Sequence, residues 1–185
     1  IGEEVARATS IVRFAPNSAF DAHTHGGGEE YLVLKGVFSD ENGDYPAGTY
    51  VRNPIGTCHT PHIGPKGATI FVKLCQFGKD DTEHKAVATN SATFQPTDME
   101  GLTELELHDA ATERVRMLRF APGTHLPYHH HTGGAEVLVV DGRFSDEHGH
   151  YPAGTWLRSP VGSGYAPRSD EGCLLWIKTG HLAGL

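Results

Sequence analysis

The sequence predicts an all-β protein built of two consecutive jelly-roll barrels. Three features carry that expectation: the chain repeats itself at a long constant offset, apolar residues recur with a period of two, and turn residues cut the chain into short runs. The repeat fixes the layout. Arg13-Phe14-Ala15-Pro16 returns as Arg119-Phe120-Ala121-Pro122, Phe38-Ser39-Asp40-Glu41 as Phe144-Ser145-Asp146-Glu147, and Tyr45-Pro46-Ala47-Gly48-Thr49 as Tyr151-Pro152-Ala153-Gly154-Thr155. The offset is 106 residues without a gap from Arg13 to Pro61, with about half the aligned positions identical. After a single-residue slip, Phe71-Val72-Lys73 matches Trp176-Ile177-Lys178. Solenoid units run at roughly 20–50 residues, so a repeat this long is a duplicated domain. The polar, turn-rich stretch Gly78–Thr97 reads as the connector, with the boundary at residue 92, giving domains 1–92 and 93–185. On the same offset, Phe94 to Glu106 falls before Ile1, so the first copy is expected to lack an opening strand that the second retains.

Within each copy the elements read as strands. Glu30-Tyr31-Leu32-Val33-Leu34-Lys35 and Glu136-Val137-Leu138-Val139-Val140-Asp141 are short apolar runs ending at Gly36 and Gly142, the pattern of buried strands. Asn42-Gly43, between strand candidates, is a strong hairpin signal, and His148-Gly149 takes the same place in the second copy. Ala110–Met117 could form a helical turn, but Val115 and Met117 alternate and the segment is assigned to strand.

Composition excludes several classes. With 23 acidic against 15 basic residues the net charge is −8, which argues against a nucleic-acid surface. Apolar runs such as Leu174-Leu175-Trp176-Ile177 are too short to span a bilayer. Cys58, Cys75 and Cys173 are an odd number and widely spaced, which reads as free thiols in a reducing, cytoplasmic setting. The outlier is histidine, at 13 residues.

The first copy contains His23-Thr24-His25-Gly26-Gly27-Gly28-Glu29-Glu30, then Gly36, and later Cys58-His59-Thr60-Pro61. Residues two apart on a strand share a face, so His23 and His25 can look into one barrel. After a glycine-permitted bend Glu29 can reach the same centre, and His59 from a later strand completes the set. Three imidazoles and one carboxylate suit Zn, Fe, Mn, Ni or Cu(II), whereas Ca and Mg prefer oxygen throughout. Of the two adjacent carboxylates, Glu29 shares the odd parity of His23 and His25. Glu30 is expected on the opposite face, outside the metal centre, paired with an arginine such as Arg52.

These residues carry a resemblance. His23-x-His25-x3-Glu29-x6-Gly36 is similar to the first motif of the cupin superfamily, and Gly48 through Pro54 to His59 resembles its second. Gly36 through Tyr50, followed by Arg52-Asn53-Pro54, is more specific and resembles the cupin domain of the ChrR-type anti-sigma factors. The resemblance spans nearly the whole chain and implies a bicupin. It also implies one divalent metal ion on His23, His25, Glu29 and His59, zinc first, with iron, manganese or nickel compatible. It further implies a sensor of singlet oxygen or organic peroxide. In that family an N-terminal helical zinc domain grips a sigma factor. No such segment precedes the barrel here, so contact with a sigma factor is expected only through a domain outside this sequence. The chain itself is expected as a monomer or homodimer. A second reading follows from the same four ligands: a mononuclear cupin dioxygenase acting on a small organic substrate such as a diketone, whose catalytic residues the sequence does not single out.

In the second copy the offset carries His23 and His25 to His129 and His131, but Glu29 to Ala135 and His59 to Tyr165. Two histidines without the carboxylate lack the charge that offsets a divalent cation. Tyr165 could ligate only as a phenolate, whose reference pKa is about 10. The second barrel is therefore expected to bind no metal tightly.

Overall fold

The computed structural model describes residues 6–183. The chain forms two compact units, residues 1–92 and 93–185. Every regular element among the described residues is a strand, and no helix there is long and apolar enough to cross a membrane.

The first unit runs β1 (Ala8–Phe14), β2 (His23–Thr24), β3 (Glu29–Asp40), β4 (Gly43–Pro46), β5 (Thr49–Asn53), β6 (Cys58–His59), β7 (His62–Leu74) and β8 (Lys85–Ala88). The main sheet has the order β1-β7-β3-β5-β8, with β4 also paired to β3, and β2 and β6 form a separate two-stranded ribbon. At 12 and 13 residues, β3 and β7 are about twice the usual strand length. They reach that length by bending. Gly36 has φ 72°, a left-handed conformation, and a Cβ there would lie 2.0 Å from the Gly67 carbonyl oxygen. The β3–β7 register shifts on both sides of it, between Val33 and Lys35 and between Gly36 and Phe38. Before the bulge β3 pairs with β5; after it, Val37–Asp40 pairs with β4. The bulge also switches which parity faces inward. Tyr31 and Val33 enter the core before it and Phe38 after it, where they meet Phe14, Val51, Ile63 and Ile70.

The second unit repeats the plan. Its central strand, Ala135–Ser145, lies between Cys173–Thr179 and the short strand Trp156–Ser159, and bends at Gly142, with φ 72°. Phe120, Val137, Val139, Phe144, Leu175 and Ile177 fill its core.

Two segments differ from the sequence expectation. Ala110–Met117 is not one strand. Leu102–Ala110 and Glu113–Phe120 form an antiparallel hairpin around Ala111-Thr112. The stretch read as a turn-rich connector also contains strands: β8 pairs with β5 from Thr49↔Ala88 to Arg52↔Lys85, and Gln95–Pro96 pairs with Glu104 and Thr103. Both additions are short, four and two residues, too short to leave a readable period.

Candidate metal centre

The centre is assembled where the β2–β6 ribbon faces the start of β3. His23 lies directly opposite His59 in that ribbon, and Thr24 opposite Cys58. His59 is 2 % exposed while its neighbour Cys58 is exposed, the alternation a strand imposes. His25 lies beyond the end of β2, where its N–H donates to Thr57 O at 2.9 Å and its carbonyl accepts from Gly56 N at 2.9 Å. Glu29 comes to the site after the glycine-permitted bend that the sequence suggested, and shared odd parity plays no part because no single strand runs from His25 to Glu29. A turn through Gly26–Gly28 delivers it as the first residue of β3. That turn requires glycine, because Gly28 has φ 76° and a Cβ there would sit 2.4 Å from the Phe77 ring.

The donors converge. His59 Nε2 lies 3.2 Å from both His25 Nε2 and His23 Nε2. Glu29 Oε2 is 3.3 Å from His25 Nε2 and 3.7 Å from His59 Nε2. The opposite ring nitrogens fix the tautomers. His23 Nδ1 is 3.1 Å from Asp21 O and His59 Nδ1 is 3.2 Å from Asp40 Oδ2, and both partners can only accept. His25 Nδ1 is 2.9 Å from Thr57 Oγ1, whose own hydrogen goes to Pro54 O at 2.7 Å. All three Nδ1 atoms therefore carry the proton, and all three Nε2 lone pairs point at one another beside a carboxylate. Such an arrangement repels itself until a cation sits among the donors. The set of three imidazole nitrogens and one carboxylate oxygen fits a divalent transition metal or zinc.

Electrostatics keep the imidazoles ready to ligate. Burial, followed by the neighbouring His59 and His23, pushes His25 from 6.5 down to about 4. Burial also lowers His59, against the opposing pull of Asp40. Metal binding requires neutral imidazole, so little proton competition remains near neutrality.

Three residues that the motif did not single out orient the donors. Asp40 holds His59, Thr57 holds His25, and Asn53 Nδ2 donates to Glu29 Oε2 at 3.2 Å. Partners of this kind fix ring orientation and raise ligand basicity. Asp40 also serves the β3–β4 hairpin, accepting from Asn42 N and Tyr45 Oη. Glu30 lies on the opposite face, 2.9 Å from Arg52 Nη1 and 2.7 Å from Tyr50 Oη. That face is covered: Arg52 also bonds Asp81 and lies over the Phe77 ring at 4.2 Å.

In the second unit His129 pairs opposite Tyr165, as His23 does opposite His59. His129 Nδ1 is likewise held by a backbone carbonyl, Pro127 O at 3.1 Å. The Tyr165 ring centroid lies 4.8 Å from that of His131 and 5.7 Å from that of His129. Burial raises the phenol far above its usual range, so it stays neutral. Among the described residues no third histidine, cysteine or carboxylate joins His129 and His131.

A family model described as the ChrR cupin-like domain matches residues 1–78 and again 82–183. The chain belongs to the ChrR cupin-like family. Solved structures share the fold at low identity. A Nostoc punctiforme protein provisionally named a dioxygenase aligns with TM-score 0.78 at 15 % identity, over 97 % of this chain and 71 % of that one. A cupin 2 conserved barrel domain protein from Leptotrichia buccalis aligns with TM-score 0.65 at 14 % identity, over 96 % and 85 %. Oxalate decarboxylase from Bacillus subtilis aligns with TM-score 0.62 at 14 % identity, over 94 % and 68 %. No curated protein matches the chain in sequence. The ChrR-like bicupin thus has cupin-barrel neighbours, and at these identities they speak to fold alone.

Proposed function

We propose that this ChrR-like bicupin is a sensor module. It holds one divalent cation, zinc foremost, on His23, His25, Glu29 and His59, and it responds to oxidants such as singlet oxygen or organic peroxide. Zinc, when bound there, would supply a redox-inert Lewis-acid centre. The protein's own contribution is to hold three Nε2 lone pairs and a carboxylate together. Oxidative loss of any one donor would release the cation and leave the others opposed. A sigma factor would be reached through a domain outside these residues, in the cytoplasm.

One observation carries the choice of sensor over oxygenase. Among the described residues the cavity against His23, Glu29 and His59 measures about 50 Å³, walled by Val12, Phe14, Phe20 and Ile70. One water needs roughly 10–15 Å³ on that measure, whereas sites for small organic ligands run to about 300–1,000 Å³. The first barrel thus has room for a few waters or a peroxide headgroup, and little for a diketone held beside dioxygen.

The deciding experiment uses one untagged preparation. Metal content is measured first. Oxygen uptake is then followed with a panel of β-diketones after Fe(II) loading, and metal release under organic peroxide is followed with a chromogenic chelator. The sensor reading expects zinc, no substrate-dependent uptake, and release under peroxide. Uptake at several turnovers per second that disappears in His59→Ala would establish the oxygenase.

A further inference from the structure

The second barrel has exchanged its cation site for a larger chamber. A cavity of about 400 Å³ occupies the position matching the metal centre, within the size range of small-molecule sites. It is eight times the cavity of the first barrel, about 400 against about 50 Å³. In the sequence Ala135 stands where the first copy has Glu29, so this barrel lacks the carboxylate that borders the smaller cavity of the first.

The lining divides into two chemistries. One part is apolar, with Leu102, Leu118, Phe120, Val137 and Ile177. The other presents Arg116, His129, His131 and Tyr165. No aspartate or glutamate lines the cavity. His131 is 9 % exposed, and its Nε2 is buried without a hydrogen-bond partner. Arg116 donates through Nη1 to Glu104 at 2.9 Å, but its Nε is buried and unpartnered. Buried polar groups left unpaired are costly, and each one in a native fold calls for an explanation. Here two such nitrogens belong to residues that line one acid-free chamber, alongside a neutral buried phenol. A ligand accepting hydrogen bonds at one end and filling apolar space at the other satisfies both parts.

We propose that the second barrel is a metal-independent binding site for a small carboxylate with an apolar body. The carboxylate would take hydrogen bonds from the Arg116, His131 and Tyr165 end, and the body would lie against Leu118, Val137 and Ile177. The same fold position would thus take a cation in one copy and an organic anion in the other. This site does not depend on the sensor reading of the first barrel.

Octanoate is the probe, titrated calorimetrically into the full chain, with 1-octanol as the uncharged control of equal length. The expected result is one saturable octanoate site per chain, at least tenfold tighter than for octanol and unchanged by Glu29→Ala. Ala135→Glu restores the first copy's carboxylate next to Gly134, which lines the chamber, and should weaken octanoate at least tenfold. If that variant fails to fold, Arg116→Gln at the partly exposed rim decides, with the same direction expected. Equal binding of octanol overturns the anionic reading. Loss of binding in Glu29→Ala places the ligand on the first barrel's metal, and absence of saturable binding removes the site.

Discussion

His59 donates from Nδ1 to Asp40 Oδ2 at 3.2 Å, joining the last residue of β3 to the metal centre whose carboxylate, Glu29, is the first residue of the same strand. Asp40 acts through His59, setting its tautomer and ring plane. Asp40→Asn should weaken zinc affinity about 10–100-fold while one equivalent still binds at saturation. Competition with a chelator of known affinity measures the change. Unaltered affinity would make Asp40 a hairpin residue only.

Removing a donor should do more than removing its support. His59→Ala and Glu29→Ala are each expected to abolish tight binding, and His129→Ala to leave one equivalent per chain. Elemental analysis after dialysis against a chelator checks all three. Two equivalents surviving dialysis in the wild type would contradict the assignment of the second barrel.

The lost site should be recoverable by substitution. Ala135→Glu with Tyr165→His restores the two donor types beside His129 and His131. Asp146 is already at the position matching Asp40, and Ser163 bonds Pro160 O at 2.6 Å as Thr57 bonds Pro54 O. A second equivalent of zinc is expected in the double variant and in neither single one. Metal analysis showing one equivalent throughout would mean that more of the second barrel has drifted than these two side chains.

Glu30 should matter for stability and not for metal. Its partner Arg52 is fully buried, and removing one member of a buried pair costs roughly 3–5 kcal/mol. Glu30→Ala should lower the unfolding free energy, read from denaturant titration, by up to that order while keeping one equivalent of metal. Loss of metal with little change in stability would reverse the roles given to Glu29 and Glu30.

A pH dependence follows from His131, which burial, His129 and Arg116 push from 6.5 down to about 4. Above 6.5 the imidazole is neutral in native and unfolded chains alike. Between 6.5 and about 4 the unfolded chain takes up the proton and the native chain does not, so stability falls as pH falls across that window. His131→Gln removes this component. Wild-type midpoints should therefore drop more steeply than the variant's from pH 6.5 to 4.5, and parallel curves would rule the effect out.

The fold was legible because duplication and turn chemistry leave marks in the chain itself. Gly36 and Gly142 fall at equivalent bends, and the apolar runs before them are strand cores. All four candidate donors were legible, since His23, His25 and Glu29 lie within one short motif and His59 within a second. Their supports were not. Asp40 reaches His59 across 19 residues and Thr57 reaches His25 across 32, contacts that exist only after the barrel closes. The cover over Glu30 was hidden for a related reason, since Asp81 and Phe77 come from around the segment that reads as connector. The bend before Glu29 was legible in its glycines, but the parity used to prefer Glu29 over Glu30 does not carry across that turn.

His23 and His59 are 36 residues apart in sequence and opposite one another in the β2–β6 ribbon. A cation shared by both ties off a loop of that length, restricting the unfolded chain as a covalent bridge would. By the loop-entropy relation for disulfides such a tie is worth roughly 4 kcal/mol. The three cysteines are free, and a metal tie, unlike a disulfide, would survive reducing conditions. The second barrel, with Tyr165 in place of the last histidine, has no such tie. Loss of one ion would therefore loosen one half of the chain selectively, and chemical damage at a single donor becomes a change in the mechanical state of a whole domain.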